Sequence, residues 1–193
     1  VTVIADDGGA LAMGGVIGGE STGCTSETQT VFIESALFDP VRTATIGRRY
    51  QIESEARYRF ERGLDPEFAG PGLEEATRMV LDLCGGEASE LVTTGEIPAW
   101  QKTVTLRPGR VAALGGIDLT GAQSAEILER LGFGVDQGAD PFEVTVPSWR
   151  SDVGGEADLV EEVTRVYGFD KIPSVPLRGK SAIAQPVLTP RQL

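Results

Sequence analysis

The chain has 193 residues, of which 40% are hydrophobic and 24% are charged, a composition typical of a globular protein with one or two domains. No run approaches the ~20 continuous apolar residues that cross a bilayer, and no signal peptide opens the chain. We therefore expect a cytoplasmic protein that has no membrane partner. The first residue, Val1, lies in a strand-like run, so we also expect a piece of a longer protein.

Charge and reactive side chains narrow the function classes. The net charge is −12, which argues against a surface devoted to nucleic acid, because such binding needs Lys and Arg to neutralise phosphates. The two cysteines, Cys24 and Cys84, cannot build a disulfide framework and do not have metal-knuckle spacing. The sequence contains no His, so the commonest general base and metal ligand is missing.

The first half, residues 1–98, combines hairpin, strand and helix signals. A turn sequence, Asp6-Asp7-Gly8-Gly9, separates two β-like runs and predicts a hairpin. Further on, the patterns predict a strand at residues 28–36, a helix at Pro40–Tyr50 and a strand at residues 91–97. A helix is predicted from Asp65 to Cys84 with a break or kink at residues 70–72, because Gly and Pro disfavour helix interiors, so Leu73–Cys84 is its secure part.

One carboxylate stands out in the predicted strand at residues 28–36. On a period of two, Glu34 shares a face with Phe32 and Ala36. A carboxylate on an apolar face is costly unless it is paired or lines a site. Two interpretations stay open from the pattern alone: a residue of a binding site, or an edge-exposed or salt-bridged Glu.

The second half has the element order β-α-α-β-β-α. The patterns predict a strand at residues 103–106, a helix at residues 108–114, and a capped helix after the Thr120-x-x-Gln123 box. A hairpin at Gly134–Asp136 and Phe142–Val146 and a helix at Glu156–Tyr167 follow. This order predicts a winged-helix-like module at residues 99–173. Four prolines between residues 172 and 193 predict a connector, which we place at residues 174–193.

Four carboxylates cluster around the last predicted helix: Asp152, Asp158, Glu161 and Glu162. At helical spacing, three of them crowd one face and repel each other. Oxygen ligands from a loop and a helix suit a hard cation such as Mg²⁺. The alternative is a solvated acidic face steadied by Arg165 and by the helix dipole.

Several longer motifs are similar to the bacterial phenylalanine–tRNA ligase beta-subunit family. In the first half they are the segments at residues 4–7, 12–20, 37–40 and 59–66, the last reading Arg-Phe-Glu-Arg-Gly-Leu-Asp-Pro. In the second half, residues 146–152 and 158–168 resemble the B5 domain of that family. The resemblance implies an α+β chain: a partial mixed α/β editing domain (the C-terminal part of B3/B4) at residues 1–98, B5 at residues 99–173, and then the connector.

The resemblance also implies a function for the first half. The B3/B4 domain of this family hydrolyses tyrosine wrongly attached to tRNA(Phe), since a second pocket can select the hydroxyl that the synthetic pocket rejects imperfectly. Glu34 matches the glutamate that contacts the tyrosine hydroxyl. Gly18 and Ala56 match small pocket-lining positions, and Ser54 stands where many relatives carry Thr. No catalytic residue is identified.

For B5, the resemblance assigns Asp152, Asp158, Glu161 and Glu162 to a magnesium site shared with the alpha subunit. It implies an alpha2/beta2 heterotetramer that aminoacylates tRNA(Phe) with ATP, and this chain itself binds no ATP. Two alternatives remain: a purely structural interaction module, and a winged-helix module that binds nucleic acid. The second half carries a net charge of −2 and shows no basic recognition helix, and both features argue against nucleic-acid binding.

Overall fold

The computed structural model describes residues 1–175, so nearly all of the predicted connector lies outside the described residues. The described part is α+β, as predicted, with two three-stranded antiparallel sheets and six α-helices. Within it, no helix is both long enough and apolar enough to span a membrane.

The first half begins with the predicted hairpin. Strand β1 (Val3–Asp6) pairs with β2 (Gly9–Met13), and a short β3 (Ile17–Gly18) pairs with the other edge of β2. The Asp6 carboxylate accepts hydrogen bonds from the backbone N–H of Gly8 at 2.8 Å and of Gly9 at 3.1 Å. Asp therefore stabilises this turn through its own side chain.

Helix α1 (Pro40–Tyr50) has the predicted bounds, because local signals define both of its ends. The Asp39 carboxylate accepts from the Arg42 N–H at 2.6 Å, and Pro40 occupies the first position, where no N–H is needed. A second helix, α2 (Glu55–Phe60), is capped by Ser54.

Two predicted strands are wrong. Residues 28–36 and 91–97 form neither helix nor strand. A strand needs backbone partners, and within residues 1–175 no strand pairs with either segment. The alternation of side chains in residues 28–36 therefore suggested a strand, but it carries no information about whether a second strand is available for pairing.

The prediction for the third helix is also wrong in detail. Helix α3 (Ala69–Cys84) starts four residues after Asp65 and runs unbroken through residues 70–72. Asp65 instead accepts from the Glu67 N–H at 3.0 Å, in a turn before the helix. Pro71 is the third helical residue, and the first four N–H groups of a helix have no intrahelical partner, so proline is tolerated there.

The second half follows its prediction closely. Its elements are β4 (Lys102–Leu106), α4 (Pro108–Gly115), α5 (Gly121–Arg130), β5 (Gly134–Asp136), β6 (Phe142–Val146) and α6 (Glu156–Tyr167). Strand β6 lies between β4 and β5. The capping box is confirmed, because Thr120 and Gln123 exchange both expected hydrogen bonds.

The two halves differ in how their apolar residues are buried. In the second half, a single core joins the sheet to the helices, with Leu106, Val111, Leu128, Val144 and Leu159 all fully inaccessible to solvent. In the first half, buried apolar residues are few: Val16, Ala44 and Ile46. Burial of apolar surface is the main source of stability, so we expect the second half to be the more stable one.

Candidate functional site

A cavity of about 340 Å³ opens in the first half, between the first sheet and helix α2. Three of the four residues predicted for a binding pocket, Gly18, Glu34 and Ala56, line this single cavity. They come from three separate parts of the chain: β3, the segment before α1, and α2. Tertiary folding therefore brings together residues that the resemblance selected individually.

The floor of the cavity is aromatic, and the sequence analysis did not identify it. Phe38 and Phe60 line the cavity and contact each other edge to face, with ring centroids 5.0 Å apart. The Phe38 ring lies directly on the Gly14-Gly15 backbone: a Cβ at Gly14 would come within 2.6 Å of Phe38 Cε1, and one at Gly15 within 2.9 Å of Cδ2. The glycine pair is thus the sequence signal that could have indicated a ring packed at this point.

Glu34 is the only ionisable side chain among the described residues that line the cavity. The residue as a whole is exposed to solvent, yet partial burial of its carboxyl group raises the pKa of Glu34 above its usual value. The cause is lost hydration, which penalises the charged form. A carboxylate that has lost water benefits from a hydrogen-bond donor, so an apolar ligand with a hydroxyl group suits this cavity.

Ser54 is the fourth predicted pocket residue, and it lies behind the wall instead of on it. Its hydroxyl oxygen accepts from the Arg57 N–H at 3.0 Å and thereby caps α2. The same hydroxyl donates to the backbone carbonyl of Val16, a buried residue that does line the cavity. Ser54 thus connects α2 to the wall of the cavity.

Changing Ser54 tests this supporting role. We expect Ser54→Ala to lower the free energy of unfolding by about 1–2 kcal/mol, because both the helix cap and the bond to Val16 are lost. Ser54→Thr keeps the hydroxyl and is expected to leave stability within about 0.5 kcal/mol of the wild type. Urea unfolding of both variants measures the difference; equal losses for Ala and Thr would contradict it.

A second cavity, of about 440 Å³, lies between Val1 and helix α1. It is larger, but none of the predicted site residues lines it. Its lining residues include Asp39, which already caps α1. The smaller cavity therefore remains the better candidate for a binding site, since it alone combines apolar walls with a single unpaired carboxyl group among the described residues.

The four predicted metal ligands lie around the start of α6, but they do not converge. Glu162 is buried and Glu161 faces solvent. Asp158 Oδ2 accepts from the backbone N–H of Gly154 at 2.8 Å and of Gly155 at 2.9 Å. Asp158 therefore caps its own helix.

Arginine side chains pair with two of the other carboxylates, Asp152 and Glu162. Hydrogen bonds from Arg165 and Arg150 lower the pKa of Glu162 to about 2. A hydrogen bond from Arg150 likewise lowers the pKa of Asp152. Both shifts favour the ionised carboxylates, because each charge faces a cation.

This arrangement does not fit a bound Mg²⁺. Across residues 1–175, no group of three or more acidic, His or Cys side chains is close enough to hold a metal ion. Mg²⁺ requires near-octahedral oxygen ligands, whereas Asp152, Asp158 and Glu162 already accept hydrogen bonds from arginines or backbone amides and Glu161 points to solvent.

Comparison with known proteins assigns both halves to established domain families. Residues 1–85 match the model described as the B3/4 domain, and residues 104–169 match the model described as the tRNA synthetase B5 domain. The two matches together cover most of the chain, and they define a component of an aminoacyl-tRNA synthetase.

Individual relatives narrow this class. The chain is 54% identical, over its full length, to proteins named phenylalanine–tRNA ligase beta subunit from Paramagnetospirillum magneticum and Rhodospirillum rubrum. It is 47% identical to the protein of the same name from Novosphingobium aromaticivorans, again over its full length. The chain therefore belongs to the phenylalanine–tRNA ligase beta-subunit family, and it spans about a quarter of the length of these relatives, 24% in each case.

Proposed function

We propose that the cavity of the first half forms part of an editing site, which releases tyrosine wrongly attached to tRNA(Phe). The observation that carries this proposal is the convergence of Gly18, Glu34 and Ala56 on one apolar cavity in which Glu34 is the only ionisable group among the described residues. The first half would thus contribute to proofreading, and the aminoacylation reaction would take place elsewhere in the enzyme.

The chemistry of the cavity agrees with the selectivity that editing requires. Tyrosine differs from phenylalanine by one hydroxyl group, and an apolar pocket rejects an added hydroxyl only weakly. A second pocket that offers a hydrogen-bond acceptor to that hydroxyl binds tyrosine in preference to phenylalanine. Phe38 and Phe60 supply apolar contact for the aromatic ring, and Glu34 supplies the acceptor.

Filling the cavity tests this proposal. A Cβ at Gly18 would meet no atom within 4 Å, and Gly18 lines the cavity, so we expect Gly18→Trp to fold and its indole to occupy the pocket. In a full-length beta subunit that carries this sequence, assembled with its alpha subunit, we expect Gly18→Trp to slow tyrosine release from mischarged tRNA(Phe) at least tenfold. That loss corresponds to about 1.4 kcal/mol of transition-state binding.

Gly70→Trp is the matched control. Gly70 also has open space around a Cβ, and it lies on α3 and does not line the cavity. Its replacement is expected to leave tyrosine release unchanged. If Gly18→Trp alters assembly or stability while proofreading continues, the first half is a structural module with no editing role.

The second half is proposed to contribute to assembly of an alpha2/beta2 heterotetramer and to handling of tRNA(Phe) in the cytoplasm. Support comes from its match to the tRNA synthetase B5 domain and from the subunit names of its relatives. ATP would be used by the whole enzyme and would not bind this chain. Magnesium shared with the alpha subunit stays a prediction, and the carboxylates as arranged here do not favour it. The domain boundaries at residues 98/99 and 173/174 also stay predictions.

A further inference from the structure

Arg150 lies at the centre of the acidic cluster of the second half. Its guanidinium forms a bidentate pair with Asp152, with Nε–Oδ1 at 2.8 Å and Nη2–Oδ2 at 2.7 Å. The remaining nitrogen, Nη1, donates to Glu162 Oε2 at 2.8 Å. One guanidinium therefore connects the loop before α6 to the helix itself, in the fork geometry that suits paired carboxylates.

The carboxylates of this cluster are also satisfied from other directions. Arg165 Nη2 donates to the same Glu162 oxygen at 2.7 Å, and Asp158 accepts from two backbone amides. The Arg150 guanidinium further lies 5.7 Å from the centre of the Phe133 ring, a cation–π distance. Asp152, Asp158 and Glu162 thus all accept hydrogen bonds from protein groups, whereas Glu161 is exposed to solvent.

We propose that Arg150 is the cation of this cluster: its guanidinium takes the place that the family resemblance gives to magnesium. The chain on its own then holds Asp152 and Glu162 together without a metal, and a divalent ion competes with Arg150 for the same oxygens. Glu162 is 7% exposed; leaving its charge without a partner would be costly. Because Arg150 is part of the chain, it pairs with the buried Glu162 carboxylate whether or not a metal ion is present.

This role makes Arg150 a positioning residue for the loop at residues 147–153. Trp149 packs against Gly132, where a Cβ would lie only 2.7 Å from Trp149 Cζ2. Ser151 Oγ donates to the Arg62 carbonyl of the first half at 3.3 Å. The Arg150 pairs therefore fix a loop that touches both the second-half core and the candidate editing half.

Thermal unfolding of the 193-residue chain, with excess MgCl₂ or with EDTA at matched ionic strength, tests the proposal. The melting temperature of the wild type is expected to be the same in both solutions. Arg150→Gln is expected to melt about 5 °C or more below the wild type in EDTA, since it leaves Asp152 without its arginine and the buried Glu162 with Arg165 alone. Magnesium is expected to recover part of that loss, because the freed oxygens can now bind it.

Arg107→Gln is the matched control. Arg107 also pairs with a glutamate at the start of α6, Glu156, through its Nε at 2.9 Å, but it lies outside the cluster. Any change in its melting temperature on adding magnesium therefore reports only the general screening of charges by salt. Isothermal calorimetry with Mg²⁺ on the same three proteins provides a second readout, with specific binding heat expected for Arg150→Gln alone.

Two results would overturn the proposal. One is a magnesium-dependent rise in the melting temperature of the wild type that exceeds the rise in the Arg107→Gln control. The other is an Arg150→Gln protein that gains no response to magnesium. If Arg150→Gln fails to fold, Arg150→Lys keeps the charge and loses the bidentate geometry, and its magnesium response is expected to lie above that of the wild type.

Discussion

Replacing Glu34 with alanine is expected to slow the release of tyrosine from mischarged tRNA(Phe) by about 10- to 100-fold. The range corresponds to the loss of one hydrogen bond to a charged group, about 1.5–3 kcal/mol. The protein for this test is the full-length beta subunit carrying this sequence, assembled with its alpha subunit. Phenylalanine charging is expected to remain intact, because Glu34 lines this cavity and we propose that aminoacylation takes place elsewhere in the enzyme.

Two further variants sharpen the test of Glu34. Glu53→Ala removes an exposed carboxylate of the same half that does not line the cavity, and tyrosine release is expected to be unchanged. Glu34→Gln keeps an oxygen acceptor without the charge, and an intermediate rate is expected. An unchanged rate for Glu34→Ala would leave the family assignment standing but would remove Glu34 from the editing pocket.

Truncating Leu159 is expected to give the largest loss of stability in the second half. Its side chain is fully buried in the core that joins α6 to the sheet. Leu159→Ala removes apolar contacts and leaves a cavity, which costs about 2–5 kcal/mol. For a domain of this size, each 1 kcal/mol lowers the melting temperature by about 4–8 °C, so thermal or urea unfolding will show the effect clearly.

Leu114→Ala is the control for Leu159→Ala. Leu114 lies on α4 and is 49% exposed, so its truncation is expected to cost well under 1 kcal/mol. Similar small losses for both variants would mean that α6 does not pack as the structure shows. The comparison matters for function as well, because α6 carries three of the four residues of the acidic cluster.

Local signals explain why much of the second half could be predicted from its sequence. The Thr120–Gln123 box, Gly116 after α4, and the turn between β5 and β6 each act within a few residues. Such signals are complete in the sequence, because all the interacting groups are close along the chain. The bounds of α6 and of the hairpin were accordingly confirmed residue for residue.

The errors in the first half arose where structure depends on distant partners. Residues 28–36 alternate like a strand, but a strand forms only when another strand supplies hydrogen bonds. At residues 70–72, helix-breaking residue types gave a misleading signal, because the cost of proline depends on its position relative to the helix start.

The candidate sites likewise combine features that the sequence predicts with features that only the tertiary structure determines. By itself, the sequence determined the family, the α+β class, and the identity of Gly18, Glu34 and Ala56 as pocket candidates, since its motifs are long and specific. Only the tertiary structure placed those three residues on one cavity, added the Phe38–Phe60 floor, and moved Ser54 behind the wall. The tertiary structure also places Arg150 within hydrogen-bond distance of the carboxylates of Asp152 and Glu162. Helical spacing identifies Arg165 as a partner for Glu162 on the same helix. Arg150 comes from a loop twelve residues before Glu162, and only tertiary packing brings it to the same carboxylate.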